Sequence, residues 1–231
     1  MAESRPNPAE DHGSPPRPPG PEAGKVLQRA WARQVSKTLT PGEISTASEA
    51  ICAHLAGICA DLAAGKPDPC LMVYVPIRGE IDPILLASWA FRSGWRVCVG
   101  YGRDREDPLQ PVTISPAFIE GGVWQVDGPA ATVDAWGMAV PRDHVPVRPA
   151  SLTAVVVPGL AFDERCHRLG RGAGVYDRFL AELDPRTRRL GVAPEARIAP
   201  ALATDPHDIP MHAVATERRV IFLPPDMAQC R

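Results

Sequence analysis

The chain has 231 residues, which suits one large domain, and its hydrophobic content of 45% is ordinary for a protein with a folded core. Its formal net charge is −2, so no overall positive field draws it to nucleic acid or to an anionic membrane, and any anion site has to be local. The longest apolar runs are too short to span a bilayer, and the first 24 residues contain no apolar segment typical of a secretory signal. The six cysteines form no C-x-x-C pair, which favours reduced thiols in a cytoplasmic protein over a disulfide framework or a zinc site.

The N-terminal segment Met1–Gly24 differs in composition from the rest of the chain. It is rich in Pro, Glu, Ser and Gly and has almost no bulky apolar residues. Such a segment cannot bury enough surface to offset the entropy of ordering, so we expect residues 1–24 to be a disordered tail. Residues 25–231 are expected to form a single α/β domain.

Helices and strands are predicted in alternation after this tail. The clearest boundary is a capping box, in which Thr40 caps a helix, Pro41 takes its first position and Glu43 lies three residues after the cap. The predicted helices are Lys25–Ser36, a long helix after Thr40, one from Asp82-Pro83 to about Gly94, and Val175–Leu183. The predicted strands are Leu71–Pro76, Trp95–Tyr101, Pro111–Ser115, Val123–Asp127, Ser151–Gly159, Leu190–Pro194 and Ala213–Leu223.

The apolar pattern of these strands predicts the fold class. The main strands are solid apolar runs and do not alternate with polar residues, which is typical of a mostly parallel sheet covered by helices on both faces. We therefore predict an α/β fold. In such folds, ligands bind at the carboxyl ends of the strands.

A glycine-rich loop follows the strand that ends near Pro158. Its sequence, LGRGAGVYDRFL, spans Leu169–Leu180 and alternates three glycines with Arg171 and an alanine. Glycine lets main-chain N–H groups approach an anion closely, and an arginine adds a charged fork that suits phosphate. Asp177, at the start of the following helix, is placed to hold Mg²⁺. The spacing G-x-G-x-G is not that of a P-loop, so a plain connector with solvated charges stays an alternative.

The wider segment VPGLAFDERCHRLGRGAGVYDRFL (Val157–Leu180) closely resembles the signature of the 5-formyltetrahydrofolate cyclo-ligases, also called methenyltetrahydrofolate synthetases. That signature has a Pro-Gly-x-x-Phe-Asp stretch, then Arg-Leu-Gly, then a glycine-rich loop that ends in Tyr-Asp. Weaker similarities extend the resemblance from about Lys25 to Val220. They are Lys25 and Arg29, Glu80-Ile81-Asp82, Trp136-Gly137 and Pro206–Pro210.

The resemblance implies a three-layer α/β/α sandwich with a mostly parallel, Rossmann-like sheet. It also implies a ligase of one-carbon metabolism that forms a C–N bond. The implied reaction is ATP-dependent closure of 5-formyltetrahydrofolate to 5,10-methenyltetrahydrofolate, in which the formyl oxygen is phosphorylated and N10 of the folate then attacks. The implied partners are ATP and a reduced folate, with Mg²⁺ as cofactor and no nucleic acid or membrane. The oligomeric state is left open, with a monomer expected.

The resemblance also assigns roles to residues along the chain. Arg171 and Tyr176 are the implied catalytic residues, and Asp177 and Asp208 are the implied Mg²⁺ ligands. Glu80 would contact the pterin, because a carboxylate can accept two N–H bonds. The implied ATP-binding residues are Lys25, Arg29, Arg168, Leu169, Gly170, Arg171, Gly172, Ala173, Gly174, Val175 and Tyr176. The implied substrate-binding residues are Glu80, Trp136, Arg171, Gly172, Ala173, Gly174 and Val175.

Several residues depart from the usual pattern of this family. Cys166 replaces a glycine, Ala173 a glycine or lysine, and Val175 a tyrosine. Arg197 lies where a glutamine is common, and His212 where an aspartate is common. The residues expected to face phosphate therefore match the family pattern better than those expected to face the folate. Two alternatives to the cyclo-ligase function remain. One is an ATP-dependent relative that acts on another formyl or amide compound, and the other is a non-catalytic nucleotide-binding regulatory protein.

Overall fold

The computed structural model describes residues 16–228. Its α-helices are α1 (Gly24–Thr38), α2 (Pro41–Ala63), α3 (Ile84–Arg92), α4 (Val175–Ala181) and α5 (Pro225–Ala228). Its strands are β1 (Cys70–Val73), β2 (Arg96–Tyr101), β3 (Gln110–Thr113), β4 (Ala131–Val133), β5 (Ala139–Pro141), β6 (Ala154–Pro158), β7 (Ala161–Asp163), β8 (Arg168–Leu169), β9 (Arg188–Val192), β10 (Ile198–Ala199), β11 (Ala213–Ala215) and β12 (Val220–Phe222). In this part of the chain, every helix is too short or too polar to cross a membrane.

Local sequence signals place the helix starts. Thr40 Oγ1 accepts the main-chain N–H of Glu43 at 3.2 Å, and Glu43 Oε2 accepts the main-chain N–H of Thr40 at 2.7 Å. The predicted capping box is therefore confirmed, and α2 begins at Pro41. Helices α1 and α4 also begin within one residue of their predicted starts.

The described residues contain a seven-stranded sheet with the order β12-β11-β9-β6-β1-β2-β3. The central strands from β11 to β2 are parallel to their neighbours, whereas the edge strands β12 and β3 pair antiparallel. The prediction of an α/β fold with a mostly parallel sheet is thus confirmed. The chain runs outward from β1 to β2 and β3 and later returns to the other side of β1 as β6. The direction of winding therefore changes between β1 and β6.

Both faces of this sheet are buried. Along β1, Leu71 and Val73 belong to a hydrophobic cluster with residues of α2 and α3. Cys70 and Met72 point the opposite way along the pleat and belong to a second cluster, which includes Phe179 of α4. Helices therefore cover both faces, which is why the central strands are solid apolar runs.

Helix α1 packs elsewhere, against a small three-stranded sheet with the order β10-β7-β8 in the described part of the chain. Trp31, Ala32 and Val35 of α1 share a buried cluster with Leu160 and Leu169. Because Leu169 is the first residue of the glycine-rich loop, this packing places α1 beside that loop.

The predicted strand Val123–Asp127 is wrong. Trp124 in this segment is buried, packs edge-on against Phe118, and donates its Nε1–H to Asp82 Oδ1 at 2.9 Å. The apolar residues here serve side-chain packing, and the main chain pairs with no strand among the described residues. A short apolar pattern does not by itself distinguish a strand from an irregular segment whose side chains are packed in the core.

The predicted strand Ala213–Leu223 is divided into β11 and β12. Thr216 Oγ1 accepts the main-chain N–H groups of Arg218 and Arg219, both at 3.1 Å, and so closes a turn in the middle of the segment. The sequence does not predict the hairpin β4–β5 or the strands β7, β8 and β10. Each of these has two or three residues, too few to leave a periodic signal.

The predicted disordered tail, residues 1–24, extends into the described part of the chain. Residues 1–15 lie outside the described residues. Trp31 Nε1 donates to the carbonyl of Pro16 at 2.7 Å, and the buried Gln28 donates through Nε2 to those of Pro19 and Gly20 at 3.2 and 3.3 Å. This corrects the predicted tail boundary for residues 16–24, because side chains of α1 bind their main chain in a way that composition does not reveal.

Candidate active site

A cavity of about 310 Å³ opens at the carboxyl ends of the central strands. Tyr74 and Val75 follow β1, Gly100 lies near the end of β2, and Pro158 and Gly159 lie at the end of β6; all of them line the cavity. It therefore lies beside the change of winding direction between β1 and β6, which is where open α/β sheets bind ligands.

The cavity brings most of the predicted site residues together. Glu80 and Trp136 line it, and so do Arg168 and the loop Gly170–Asp177. An apolar cavity with a few converging charged groups is typical of a small-molecule site. Apolar side chains that the sequence did not assign complete the lining, namely Val75, Ile77, Leu109, Met138 and Ala139.

The geometry of the loop requires its glycines. Gly172 and Gly174 have φ angles of 105° and 67°, a region that residues with side chains rarely adopt. A Cβ at Gly170 would lie 2.9 Å from Arg168 Nη1, so a larger residue there would displace the end of that side chain. The loop therefore presents bare main chain on both sides of Arg171 at the cavity.

Arg168 is the buried cation of the loop. Its side chain is only 6% exposed, and its Nη2 pairs with Asp177 Oδ1 at 2.5 Å. Its guanidinium lies 5.5 Å from the centre of the Tyr176 ring, and its Nε is buried without a hydrogen-bond partner among the described residues. Burial, helped by the charge of Glu80, raises the pKa of the Tyr176 phenol well above its ordinary value. The phenol is therefore an O–H donor and not a general base at neutral pH.

Arg171 and Glu80 contact each other within the cavity. Arg171 Nη2 lies 2.8 Å from Glu80 Oε1, and the other carboxylate oxygen of Glu80 accepts the N–H of Ile77 at 3.2 Å. The side chain of Arg171 is 55% exposed, but that of Glu80 only 13%. The implied phosphate-binding arginine and the implied pterin-binding carboxylate thus neutralise each other, and both oxygens of Glu80 are engaged.

Arg197 is a buried residue near Glu80 that the sequence marked only as a departure from the family pattern. It is 4% exposed, and its Nη2 donates to the carbonyl of Gly79 at 2.8 Å. Burial lowers the pKa of its guanidinium, while the charge of Glu80 opposes this shift. Arg197 therefore holds the turn that presents Glu80 without itself lining the cavity.

Lys25 and Arg29 of α1 do not line the cavity but hold two segments around it. Arg29 Nε donates to the carbonyl of Gly170 in the loop at 3.0 Å. Lys25 Nζ pairs with Asp208 Oδ2 at 2.5 Å and with Asp205 Oδ2 at 2.7 Å. Burial opposes the charge of Lys25, but the hydrogen bonds to the two aspartates outweigh it and raise the pKa of the amine. Helix α1 thus supports the loop from outside the cavity.

The two implied Mg²⁺ ligands are engaged by different cations. Asp177 lines the cavity and pairs with the buried arginine of the loop, whereas Asp208 pairs with the lysine of α1 and does not line the cavity. Ligand atoms of Asp205, His207 and Asp208 all lie within 4.8 Å of one another, so Asp208 has neighbours that the sequence did not assign. Carboxylate oxygens are the ligands that Mg²⁺ prefers.

Trp136 borders the cavity and packs on the main chain after β2. A Cβ at Gly102 would lie 2.3 Å from Trp136 Cδ1, and the guanidinium of Arg105 lies 5.5 Å from the centre of the indole ring. The indole Nε1 is buried without a hydrogen-bond partner among the described residues. The ring is therefore held by packing and not by a hydrogen bond of its own.

Part of the sequence signature builds the scaffold of the loop. A Cβ at Gly159 would lie 2.7 Å from the ring of Phe162, which is fully buried. Asp163 is 1% exposed and accepts three main-chain N–H bonds, one of them from Leu202. Cys166 has a φ of 62°, the one positive φ among the described non-glycine residues, so a glycine would be less strained there. These side chains fix the loop in place.

The departures from the family pattern fall in different environments. Ala173 and Val175 line the cavity and change its wall. His212 does not line it, and its Nδ1 accepts the main-chain N–H of Arg189 at 3.0 Å. Burial, with the charges of neighbouring arginines, lowers the pKa of His212 to about 4. His212 is therefore a neutral hydrogen-bond acceptor in the scaffold.

Comparison with known proteins shows what this chain is similar to. The model of the 5-formyltetrahydrofolate cyclo-ligase family matches residues 26–217. The 5-formyltetrahydrofolate cyclo-ligase of Mycolicibacterium smegmatis is 30% identical over 153 residues, which cover 64% of this chain and 73% of the relative. The probable 5-formyltetrahydrofolate cyclo-ligase of Schizosaccharomyces pombe is 29% identical over 168 residues, which cover 66% and 76%. The solved structure of 5,10-methenyltetrahydrofolate synthetase from Aquifex aeolicus matches with a TM-score of 0.70 and 25% identity, covering 86% of this chain and 92% of its own.

Proposed function

Because the chain belongs to the 5-formyltetrahydrofolate cyclo-ligase family, we infer that it closes 5-formyltetrahydrofolate to 5,10-methenyltetrahydrofolate at the expense of ATP. One observation carries this inference: a single cavity joins the glycine-rich loop, with Arg171, to the carboxylate of Glu80. The loop suits phosphate, and the carboxylate suits the N–H donors of a pterin ring. Both substrates therefore find a complementary group in one place.

We propose that the loop Arg168–Tyr176 binds the phosphates of ATP. Its glycines leave main-chain N–H groups accessible, and Arg171 has an exposed guanidinium that can reach a phosphate oxygen. Arg168, the first residue of this loop, has a buried side chain and adds a fixed positive charge. Lys25 and Arg29 support the same segment from α1, so their effect on ATP binding passes through the position of the loop.

The rest of the cavity is proposed to hold the reduced folate. Glu80 is largely buried and faces the cavity, where a carboxylate can accept two N–H bonds from the pterin. Trp136 and Met138 supply apolar surface for the flat ring. Val175 makes the adjoining wall smaller than the tyrosine of the family pattern would, which leaves more room beside the ring.

The two substrates are linked through the ion pair between Arg171 and Glu80. Arg171 donates to one oxygen of Glu80, so pterin N–H donors compete with it for that oxygen. A phosphate offers Arg171 a stronger partner than a single carboxylate oxygen. Binding of ATP therefore frees Glu80 for the folate.

The reaction needs an activated formyl group, because a formamide carbonyl is a weak electrophile and hydroxide is a poor leaving group. The formyl oxygen attacks the γ-phosphorus of ATP, the bond to ADP breaks, and an iminium phosphate forms. N10 then attacks the formyl carbon and loses its proton, and phosphate departs to leave the methenyl bridge. Little covalent chemistry falls to the protein. Its main tasks are positioning and the stabilisation of charge by Arg171, with the Tyr176 phenol available as an O–H donor.

We propose Mg²⁺ as the cofactor, with Asp177 and Asp208 as its ligands. The donor set fits, since Mg²⁺ is usually held by one or two carboxylates together with substrate phosphates. Asp177 lies in the cavity, whereas Asp208 lies outside its lining and pairs with Lys25 Nζ at 2.5 Å, so Mg²⁺ would have to replace the lysine at Asp208. When bound, Mg²⁺ would neutralise phosphate charge and help to align the γ-phosphoryl group.

We further propose that the enzyme works in the cytoplasm as a monomer with small-molecule partners only. The cysteines among the described residues are free and buried, as is usual in a reducing compartment. The net charge of −2 gives no reason to expect nucleic acid or an anionic membrane as a partner.

Turnover with Mg-ATP and 5-formyltetrahydrofolate tests the proposed function directly. The methenyl product absorbs in the near ultraviolet, so its formation can be followed continuously, and we expect phosphate to be released in equal amount. If no product forms at high enzyme concentration while Mg-ATP still binds, the cyclo-ligase reaction is rejected. ATP hydrolysis stimulated by a different formyl or amide compound would then favour a diverged relative, and no hydrolysis would favour a non-catalytic protein.

A further inference from the structure

Asp134 is a buried carboxylate in the turn between β4 and β5. It is 9% exposed and lines the cavity. Its Oδ1 accepts the main-chain N–H groups of Trp136 and Met138, both at 2.8 Å, and its Oδ2 accepts that of Gly102 at 2.9 Å. Its negative charge is therefore committed to three main-chain N–H groups.

These bonds join two segments that are distant in the sequence. Gly102 follows β2, whereas Trp136 and Met138 belong to the β4–β5 turn. The N–H of Ala135 also donates to the carbonyl of Gly102 at 2.9 Å, which adds a main-chain link at the same place. Asp134 thus attaches the turn to the carboxyl end of β2, at the edge of the cavity.

The position of Trp136 depends on this link. Its ring lies so close to Gly102 that a Cβ there would be 2.3 Å from Cδ1. Its buried Nε1 has no hydrogen-bond partner among the described residues, so no hydrogen bond of its own orients the ring. The separation between Gly102 and the turn, which Asp134 sets, therefore decides where Trp136 and Met138 border the cavity.

We propose that Asp134 is a positioning residue for the flat ring of the second substrate. For the identity of that substrate, a reduced folate, this rests on the proposed function. Asp134 acts through Trp136 and Met138, which it keeps at a fixed distance from the carboxyl end of β2, so that a planar ring packs against them in one orientation. The phosphate-binding loop belongs to other elements of the fold, so Asp134 serves the folate and not ATP.

The variant Asp134→Asn tests this, because it changes the hydrogen bonding of the side chain and hardly its size. The amide oxygen can keep the bonds from Trp136 and Met138, but the amide NH₂ then faces the N–H of Gly102, donor against donor. We expect KM for 5-formyltetrahydrofolate to rise about tenfold, while KM for ATP stays within about twofold. The fluorescence of Trp136, taken as the difference between each protein and its Trp136→Phe counterpart, should shift and become easier to quench with acrylamide.

Two further variants make the result specific. Asp163→Asn is a matched control, because Asp163 is also buried and also accepts three main-chain N–H bonds but does not line the cavity. It should lower the melting temperature without raising KM for the folate more than KM for ATP. Gly102→Ala places a Cβ 2.3 Å from the Trp136 ring and 3.2 Å from Asp134 Oδ2 without changing the chemistry of Asp134, and it should reproduce the rise in KM for the folate.

The outcomes separate this proposal from the proposed function. The proposal is wrong if Asp134→Asn raises both KM values alike, lowers only the melting temperature, or leaves the fluorescence of Trp136 unchanged. If the wild-type enzyme forms no methenyl product, the proposed function fails. In that case the fluorescence of Trp136 alone tests the positioning role. A shift in Asp134→Asn supports this role, and no shift rejects it. If Asp134→Asn does not fold, Gly102→Ala is judged by the same two measurements.

Discussion

Replacing Arg171 by alanine should make the ligand-free enzyme bind 5-formyltetrahydrofolate more tightly, even though it abolishes turnover. Arg171 Nη2 lies 2.8 Å from Glu80 Oε1, so the guanidinium competes with the N–H donors of the pterin for the same carboxylate. Alanine removes that competitor and leaves Glu80 in place. The same change removes the charge that stabilises the transferring phosphoryl group, so catalysis is lost.

The size of the effect follows from the exposure of the pair. Hydrogen bonds to charged groups contribute about 1.5–3 kcal/mol when well shielded, and exposed ion pairs about 0.2–1 kcal/mol. The side chain of Glu80 is 13% exposed, but that of Arg171 is 55% exposed. We therefore expect the ion pair to contribute about 1 kcal/mol of free energy. That corresponds to about fivefold tighter binding of the folate. Turnover should fall by about 100-fold or more.

Equilibrium titration of 5-formyltetrahydrofolate in the absence of nucleotide measures this effect. Arg186→Ala is the control, because it makes the same change in net charge at a side chain that is 89% exposed and paired with Asp184. Its Kd for the folate should equal that of the wild type. Weaker binding by Arg171→Ala would mean that Arg171 itself holds the folate, and an unchanged Kd would mean that the ion pair does not obstruct the site. Either result refutes the proposed exchange of partners.

Three further predictions concern the scaffold. Cys166→Gly should be more stable than Cys166→Ala by about 0.5–1 kcal/mol in urea denaturation, because both lack the thiol but only glycine relieves the φ of 62°; equal stability would contradict this. His212→Asn should reduce the loss of stability on acidification by about 2 kcal/mol between pH 6.5 and pH 4. The half-buried histidine stays mostly neutral until the pH nears its pKa of about 4, while the unfolded chain takes up a proton. Stability therefore falls as pH falls, and a parallel loss in the variant would exclude His212 as the cause. A chain that begins at Pro21 should melt about 2–4 °C below one that begins at Pro16 in calorimetry, since Trp31 and Gln28 lose acceptors in Pro16–Gly20; equal melting temperatures would mean that these contacts are not stabilising.

The general architecture could be predicted because its signals are local. Strands buried on both faces have to be apolar at successive positions, so the run around Val155 predicted a central parallel strand. A capping box is complete within four residues, and Thr40 and Glu43 were sufficient to place the start of α2. Positive φ angles favour glycine, so the spacing of Gly172 and Gly174 predicted a tight loop at the carboxyl edge of the sheet.

The contacts that define the site could not be predicted, because they join residues far apart in the chain. Arg171 and Glu80 are separated by 91 positions, and Gly102 and Asp134 by 32. The sequence around each of these residues gives no signal that identifies its partner. Arg197 shows the same limit: its sequence position indicated a change from the family pattern, but only the fold shows that it holds the turn before Glu80.

The position of α1 has a consequence for how the enzyme is made. This helix leaves the ribosome well before its partners, because Arg29 bonds a carbonyl 141 residues later and Lys25 bonds a carboxylate 183 residues later. The apolar face of α1, around Trp31, has its packing partners in the same late part of the chain. During synthesis the helix therefore cannot pack against its partners until nearly the whole domain has emerged from the ribosome. Its docking completes the support of the phosphate loop, so a chain that stops short of Asp208 would lack the ion pair between Lys25 and Asp208 as well as strands β11 and β12 of the main sheet.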